Sequence, residues 1–298
     1  RKKGLISSFI TIQEGCDKFC SFCVVPFTRG AEFSRSVEDI VNEAKSLSEL
    51  GCKEIILLGQ NVNAYHGKDK NLLQSSLAKL ILELENIKYL ERISYTTSHP
   101  KDMTQELIDV HANSQKLNPY LHLPVQSGSD TILKNMNRKY TVKDYLKLIE
   151  NLRKKIPDIA LSSDFIVGFP GETKKDFEDT KMLVNEVKFA QSYSFKYSER
   201  IGTKASRISC SLSEEEKDIR LQELQSILIN QKKRFNSKFV GKKVEVLLKG
   251  KAKKENQFRG TTKWMQTAVF ESKKSQLKSN VKLKITNAFD NCLVGDLL

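Results

Sequence analysis

The chain of 298 residues has no long hydrophobic run, few cysteines and a single tryptophan. No stretch reaches the roughly 18 consecutive apolar residues that a membrane-spanning helix needs. Six cysteines in a chain of this length are too few for a scaffold built on disulfides. The first residues also lack the charged and apolar segments of a secretory signal peptide. We therefore expect a cytoplasmic protein that works under reducing conditions and has no membrane partner.

Acidic residues are scarce relative to basic ones. The sequence contains 50 Lys and Arg against 36 Asp and Glu, which gives a formal charge of +14. Residues 236–298 hold 14 basic and five acidic side chains, a balance of +9 that leaves only +5 for the other 235 residues. A strongly basic segment attracts polyanions. The charge therefore predicts a nucleic-acid partner and a basic module at the end of the chain.

Three of the cysteines, Cys16, Cys20 and Cys23, fall within eight residues as a Cys-x₃-Cys-x₂-Cys triplet. They are one ligand short of a tetrahedral structural zinc site and of the four thiolates that usually hold a [4Fe–4S] cluster. A cluster held by three thiolates keeps one iron open to another ligand, which favours a reactive centre. Spacing alone leaves two alternatives open: a zinc loop completed by a remote histidine, and three unrelated buried cysteines.

The first part of the chain alternates between strand and helix patterns. Apolar or β-branched runs predict strands at residues 8–12, 54–58, 92–96, 120–123, 160–167 and 191–196. Amphipathic patterns predict helices at 36–50, 74–85, 104–113, 129–154 and 173–188. Such alternation is typical of an α/β fold with a parallel sheet and crossover helices. Active sites of parallel barrels assemble at the carboxyl ends of the strands, and we expect the site there.

The last part of the chain has a different pattern. Ser213 and the acidic residues after it predict the start of a helix at 213–234, because they can cap it and complement its dipole. Short β-like runs then follow at 243–248, 267–270, 281–285 and 292–294. This pattern predicts a small all-β barrel. We place a catalytic domain at 1–235 and an RNA-binding domain at 236–298; a β-domain with an incidentally basic face is the alternative.

Several motifs beyond the triplet carry a resemblance to a known family. They are Leu-Leu-Gly-Gln-Asn-Val-Asn at 57–63, Thr-Ser-His-Pro at 97–100, Leu-His-Leu-Pro-Val-Gln-Ser-Gly-Ser at 121–129 and Asp-Phe-Ile-Val-Gly-Phe-Pro-Gly-Glu-Thr at 164–173. With these motifs, residues 9–205 resemble the radical S-adenosylmethionine (SAM) superfamily, and more narrowly the methylthiotransferases that modify tRNA. The resemblance implies a partial (β/α)₆ TIM-like barrel. Residues 236–298 resemble the OB-like TRAM domain of RNA-modifying enzymes.

The resemblance also implies roles for individual residues. Cys16, Cys20 and Cys23 would hold a [4Fe–4S] cluster whose open iron binds SAM. The residues expected to contact SAM are Phe22, Gln60, Asn61, Gln126, Ser127, Arg138, Asp164, Ile166 and Gly168. Structural roles stay open for some of them: an Asx turn at 60–61, a strand-to-helix turn at 168–171 and an exposed helical arginine at 138. The sequence identifies no catalytic side chain beyond these.

The segment 97–100 resembles the branch of the family that acts on isopentenylated tRNA. We therefore expect a monomeric transferase that adds a methylthio group to C2 of isopentenyladenosine in the tRNA anticodon stem-loop, with flavodoxin or ferredoxin as electron donor. The alternatives are a threonylcarbamoyladenosine methylthiotransferase and a non-catalytic, zinc-containing RNA-binding protein. The family carries an N-terminal domain in which three further cysteines hold a second cluster. No segment of this sequence corresponds to it, so we expect the chain to be part of a longer protein.

Overall fold

The computed structural model describes residues 5–209, 212–273 and 278–298. Cys210 and Lys274 therefore lie outside the described residues. The described chain forms a parallel-stranded α/β region followed by a closed five-stranded β-barrel. None of the helices in these ranges is both long enough and apolar enough to cross a membrane.

Parallel strands form the framework of the α/β region. In chain order the strands are β1 (Ser7–Thr11), β2 (Gln13–Glu14), β3 (Phe33–Ser34), β4 (Glu54–Leu58), β5 (Arg92–Tyr95), β6 (Tyr120–His122), β7 (Ala160–Val167) and β8 (Gln191–Lys196). The order β1-β4-β5 forms one parallel sheet and β6-β7-β8 another. A parallel bridge between Ile93 and Leu117 joins the two sheets, so six parallel strands follow one another side by side.

Helices connect successive parallel strands and cover the outer face. They are α1 (Val25–Arg29), α2 (Val37–Glu49), α3 (Leu77–Glu85), α4 (Gln105–Asn113), α5 (Asp130–Asn135), α6 (Val142–Lys155), α7 (Lys174–Val187) and α8 (Glu214–Ser237). The predicted cap at Ser213 is confirmed, and Ser36 and Thr173 cap their helices in the same way. Each side chain accepts a hydrogen bond from the backbone N–H of the third residue of its helix. Each cap fixes where its helix begins and therefore where the preceding loop ends.

Strand β7 shows how the two faces of the framework differ. Leu161 and Phe165 are buried in the core shared with the helices. Because side chains alternate along a strand, Ser162, Asp164 and Ile166 point to the opposite, concave face. The concave face therefore carries polar side chains, and its upper end adjoins the loops after the strands.

The six predicted strands are all present, and their ends differ by at most one residue. The predicted helix at 129–154 is wrong as a single helix, because α5 ends at Asn135 and α6 begins at Val142. Asn137 and Lys139 interrupt it with φ angles of +61° and +59°. The interruption places residues 136–141 in a loop at the site described below.

The C-terminal barrel consists of β9 (Lys243–Lys251), β10 (Gln257–Thr262), β11 (Thr267–Glu271), β12 (Asn280–Ala288) and β13 (Leu293–Leu297). They close in the order β10-β11-β13-β12-β9 around a core separate from that of the α/β region. Four of these strands follow the predicted runs, and β10 was missed. Helix α8 runs to Ser237, past the division we placed after residue 235.

The small barrel docks on the amino ends of the parallel strands. Arg92, the first residue of β5, is 2% exposed and its guanidinium donates to the carbonyl oxygen of Thr261 at 2.7 Å. Lys249 pairs with the buried carboxylate of Glu54, the first residue of β4. The loops after the strands, where the sequence predicts the site, therefore lie at the end remote from the small barrel.

Candidate active site

Cys16, Cys20 and Cys23 lie on the loop between β2 and α1, as half-buried free thiols. Burial, with smaller contributions from the nearby Cys20, Glu32 and Cys23, raises the pKa of the Cys16 thiol to about 11. Burial also raises the pKa of the Cys23 thiol, to which Cys20 again contributes. The three thiols therefore lie close together in one partly desolvated patch, where neighbouring thiols contribute to the raised pKa values of Cys16 and Cys23.

The loop after α5 holds the cysteine loop in place. The backbone N–H of Ser21 donates to the carbonyl of Met136 at 3.0 Å, and its hydroxyl donates to the carbonyl of Asn135 at 2.7 Å. The side-chain amide of Asn137 donates to the carbonyl of Phe19 at 2.8 Å, where Phe19 has a φ of +48°. The break in the predicted helix thus serves to anchor the cysteines.

The sequence left two kinds of metal centre open at the cysteine triplet. Within residues 5–209, 212–273 and 278–298, no group of three or more His, Cys, Asp and Glu side chains is arranged to hold a metal ion. Thiolates on one zinc ion sit about 2.3 Å from it and so less than about 4 Å from one another. A [4Fe–4S] cluster offers a separate iron to each thiolate, so its ligands lie farther apart. The two kinds of centre therefore require different spacings of the same three thiolates.

Gln13 ties the cysteine loop to the loop after β4. Its side chain is fully buried, and its Oε1 accepts from the backbone N–H groups of Gln60 at 2.9 Å and Asn61 at 3.0 Å. Its Nε2 donates to the carbonyl of Gly15 at 2.8 Å, one residue before Cys16. One side chain therefore sets the position of both loops.

Asp102 makes a second connection between the same loops. Its carboxylate accepts from Lys18 Nζ at 2.7 Å and from Asn61 Nδ2 at 2.8 Å. Asn61 Oδ1 and Gln60 Oε1 are then buried without any hydrogen-bond partner in the described part of the chain. Buried polar atoms normally have partners. Two orphaned carbonyl oxygens beside a cysteine loop are suited to accept from an N–H-bearing ligand such as an ammonium group.

Arg138 lies directly beside the cysteines rather than on an exposed helix. It is 5% exposed, and its guanidinium lies 3.6 Å from Cys20 Sγ. Its Nε donates to the hydroxyl of Tyr140 at 2.8 Å, and a terminal nitrogen donates to the carbonyl of Pro124. These contacts use three of its five N–H groups, so two remain for an anionic ligand.

The segment after β7 meets the cysteine loop through apolar contact. Phe22 and Ile166 pack against one buried cluster that includes Phe169. Gly168 has a φ of +69°, and its N–H donates to the Glu172 carboxylate at 2.8 Å. The structure thus brings Phe22, Ile166 and Gly168 to the same end of the framework as the cysteines.

Other predicted residues lie farther from this centre. The carboxylate of Asp164 lies on the concave face, 3.3 Å from His122 Nε2. Gln126 has a φ of +78° and bonds through its backbone to β7. The Ser127 hydroxyl is buried 3.3 Å from Thr180 on α7, so the structure does not bring it to the cysteines.

His99 is fixed in its neutral form near the site. Its backbone N–H donates to Asn63 Oδ1 at 2.8 Å, and Asn63 Nδ2 donates to its carbonyl at 2.9 Å. Burial lowers the pKa of His99 to about 2, and the charges of Arg138 and Lys18 contribute. The ring can therefore act as a neutral hydrogen-bonding or packing group, not as a cation.

The fold and the site together define a class of protein. A thiol-rich loop sits at the carboxyl ends of parallel strands, beside unsatisfied acceptors and a buried arginine, as in an α/β enzyme built around a metal–sulfur cofactor. The sequence profile of the Radical SAM superfamily matches residues 10–184. The chain belongs to the Radical SAM superfamily.

Solved structures share this fold at low sequence identity. The radical SAM methyltransferase TsrM from Kitasatospora setae, with cobalamin and a [4Fe–4S] cluster bound, is 18% identical with a TM-score of 0.53 over 68% of this chain and 38% of that one. Coproporphyrinogen III oxidase HemN from Escherichia coli is 18% identical with a TM-score of 0.54, covering 78% and 54%. SuiB from Streptococcus suis, bound to SAM, is 15% identical with a TM-score of 0.53, covering 77% and 48%.

These neighbours show the fold of the chain, and two of them were solved with cofactors bound, a [4Fe–4S] cluster in TsrM and SAM in SuiB. Radical SAM enzymes of this fold bind a [4Fe–4S] cluster and SAM. The present chain spans only 38% to 54% of the length of the three structures. The similarity therefore applies to the fold and does not extend to a substrate or a partner.

Sequence reasoning missed the residues that hold the site together. Gln13, Lys18, Asp102 and Tyr140 carry no motif, and Lys18 and Asp102 are 84 residues apart. One signal was available: Lys18 is a charged residue inside the cysteine triplet, where a partly buried loop requires a counter-charge. Its partner could not be named without the fold.

Proposed function

We propose that this chain is the catalytic part of a radical SAM methylthiotransferase that modifies C2 of isopentenyladenosine beside the tRNA anticodon. The observation that carries the proposal is the pair of buried, unpartnered oxygens, Gln60 Oε1 and Asn61 Oδ1, on a loop that Gln13 joins to the three-cysteine loop. The choice of tRNA rests on the sequence at 97–100 and on the basic residues 236–298.

The residues at the site divide the work of cofactor binding. Cys16, Cys20 and Cys23 would hold a [4Fe–4S] cluster. When bound, that cluster supplies the electron that cleaves SAM reductively. Gln60 and Asn61 accept from the SAM ammonium group with oxygens that lack other partners. The free N–H groups of Arg138 pair with the SAM carboxylate.

The aromatic and apolar side chains around the cysteines serve to exclude water. Phe22 and Ile166 share an apolar cluster that shields one side of the loop. A drier environment strengthens the hydrogen bonds to SAM and limits side reactions. Asp164 lies farther along the concave face with His122, where the adenosine part of SAM or the substrate base would reach it.

The substrate explains the need for radical chemistry. The C2–H bond of adenosine does not react with ordinary nucleophiles, and the base must leave the anticodon stack to reach the strand ends. Sulfur delivery would fall to a second cluster in a further N-terminal domain. The proposal also includes an electron donor such as flavodoxin or ferredoxin, action as a monomer and a cytoplasmic location.

The proposal is tested by following hydrogen from the base. Reconstituted, reduced protein is given SAM and an anticodon stem-loop RNA that carries deuterium at C2 of isopentenyladenosine. We expect deuterium in the deoxyadenosine product, whatever the source of sulfur. A matched RNA with threonylcarbamoyladenosine serves as control, and deuterium transfer from that RNA alone would contradict the proposed substrate.

A further inference from the structure

A second concave site lies far from the cysteine loop, where the α/β region meets the small barrel. It is a cavity of about 380 Å³. Its walls come from the residues before β7 and β8, the end of α8 and the start of β9. The basic side chains that line it are Arg153, Lys188, Lys238, Lys242 and Lys243.

These cations are not neutralised by the protein. Asp158 is the one acidic residue among the described lining residues. None of the five cations forms an ion pair in the described ranges. Lys188, Lys242 and Lys243 are exposed. Lys188 and Lys238 also line an adjoining groove that includes Arg234, so the basic surface continues beyond the cavity.

Aromatic side chains form part of the cavity wall. Trp264 and Phe239 pack with their ring centroids 4.8 Å apart. The indole N–H of Trp264 donates to the carbonyl of Asp158 at 2.8 Å, which joins the small barrel to the α/β region at the cavity itself. Because both parts of the chain supply cations, their docking brings the charges together in one cleft.

We propose that this interdomain cleft binds the phosphate backbone of RNA. A concave row of unpaired lysines suits the ridge of a nucleic-acid backbone, whereas a flat lipid surface would call for exposed apolar side chains around the cations. The inference rests on the proposed function for its choice of RNA. It adds that residues before position 236, Lys188 and Arg153, take part in binding together with the small barrel.

The cleft is remote from the chemistry. It adjoins the amino end of β7, while Gly168 and the cysteine loop lie past the carboxyl end. Eight residues of strand at about 3.3 Å each separate the two by roughly 26 Å. The cleft therefore binds backbone distant from the reacting base, and it contributes affinity without reading base identity.

Trp264 provides a direct reporter, because it is the single tryptophan of the chain and lines the cleft. An unmodified, fluorescein-labelled RNA hairpin is titrated into the full chain at several salt concentrations, with RNA anisotropy and Trp264 emission as readouts. The cleft variant is K188Q/K242Q/K243Q. Loss of three phosphate contacts should weaken binding on the order of 100-fold at 0.1 M salt and reduce the salt slope by about 2 to 3.

The matched control is K45Q/K70Q/K79Q, which removes three exposed lysines of the α/β region that line no part of the cleft. Circular dichroism checks that both variants fold. The proposal predicts near-normal binding by the control and a change of Trp264 emission when RNA binds wild type. It is overturned if the control loses as much affinity as the cleft variant, if RNA binds without affecting Trp264, or if phosphatidylglycerol vesicles bind more tightly than RNA.

The outcome is separable from that of the proposed function. RNA binding in the cleft without deuterium transfer from C2 would contradict the proposed reaction but not the proposal that the cleft binds RNA. Deuterium transfer at saturating RNA, with equal RNA affinity in wild type and the cleft variant, would contradict only the proposal that the cleft binds RNA.

Discussion

Asn61, a proposed SAM ligand, is held in place by contacts that come from distant parts of the chain. Gln13 accepts from its backbone N–H, and Asp102 accepts from its side-chain amide. These two contacts orient Oδ1 and leave it buried without a partner. Lys18 Nζ lies 2.7 Å from the Asp102 carboxylate and balances its negative charge.

Substituting Asn61 with leucine removes the acceptor but not the thiols. Loss of a hydrogen bond to a charged group costs about 1.5 to 3 kcal/mol. We expect N61L to raise the Kd for SAM by roughly 10- to 100-fold on the reconstituted protein, with iron content unchanged. The exposed Asn71 gives the control N71L. Equal SAM affinity of N61L and wild type would remove Asn61 from the site.

His111 makes stability depend on pH. It is fully buried against the hydroxyl of Tyr95 at 2.7 Å, and burial lowers its pKa to about 3. In the unfolded chain this histidine takes up a proton near pH 6.5, whereas in the folded chain it stays neutral down to about pH 3. The free energy of unfolding should therefore fall as pH drops from 6.5 toward 3, by up to about 1.4 kcal/mol per pH unit for this residue.

The variant H111Q should lose that part of the pH dependence. His99 has a similarly lowered pKa, so roughly half of the slope should remain. Urea unfolding at pH 5, 6 and 7 measures it. A slope unaltered by H111Q would show that His111 is protonated in the folded protein.

At the residue scale, the sequence predicted the proposed ligands but not the residues that hold them in place. The motifs predicted the cysteines, Gln60 and Asn61 because short spacing and strand-end placement are visible locally. Gln13 and Asp102 reach the site only through folding, across 48 and 41 residues from Asn61. Ser127 looked equally suitable in its motif, but the turn after β6 directs it to Thr180.

Among the elements, most strands could be predicted from the sequence, but strand β10 and the break between α5 and α6 could not. Buried parallel strands read as apolar runs, which is why β4 and β7 were found with correct ends. Strand β10 was missed because its polar sequence contains Gly260 and a bulge between Arg259 and Gly260. The break between α5 and α6 depends on left-handed residues that a helical pattern does not reveal.

Gly15 controls the path of the cysteine loop. Its φ is +70°, and an added Cβ would lie 2.2 Å from the carbonyl oxygen of Ala31. Gly51 also has a positive φ, +98°, but an added Cβ would meet nothing within 4 Å. Both alanine variants carry the strain of a positive φ, about 1 to 2 kcal/mol. Only G15A should also displace the loop.

We therefore expect G15A to lose most of its bound iron after reconstitution, while G51A keeps it. Iron per chain, with the free energy of unfolding measured in parallel, distinguishes the two effects. If G15A and G51A retained equal iron, the close approach at Gly15 would not matter for the cluster.

In the whole molecule, docking of the small barrel depends on a few buried polar groups. The Arg92 guanidinium donates to the carbonyls of Thr261 and Glu245 at 2.7 and 3.4 Å. Burial lowers the pKa of Arg92, as expected for a charge held in the interface. R92M should leave those carbonyls without a donor, at a cost of about 1 to 3 kcal/mol.

Calorimetry should show this loss as earlier unfolding of the small barrel, separate from the α/β region. The exposed Arg259 on β10 provides R259M as control. Because the cleft spans both parts, R92M should also weaken RNA binding. Identical thermograms for R92M and R259M would mean that Arg92 does not secure the docking.

The central claim is that Cys16, Cys20 and Cys23 together hold the cluster that cleaves SAM. The most direct measurement is SAM cleavage by anaerobically reconstituted, reduced protein, with iron and acid-labile sulfide determined on the same samples. Wild type should bind about four iron per chain and cleave SAM. C20A should do neither, and C52A, which changes a buried core cysteine, should do both. Cleavage by C20A, or bound metal without sulfide in wild type, would contradict the claim.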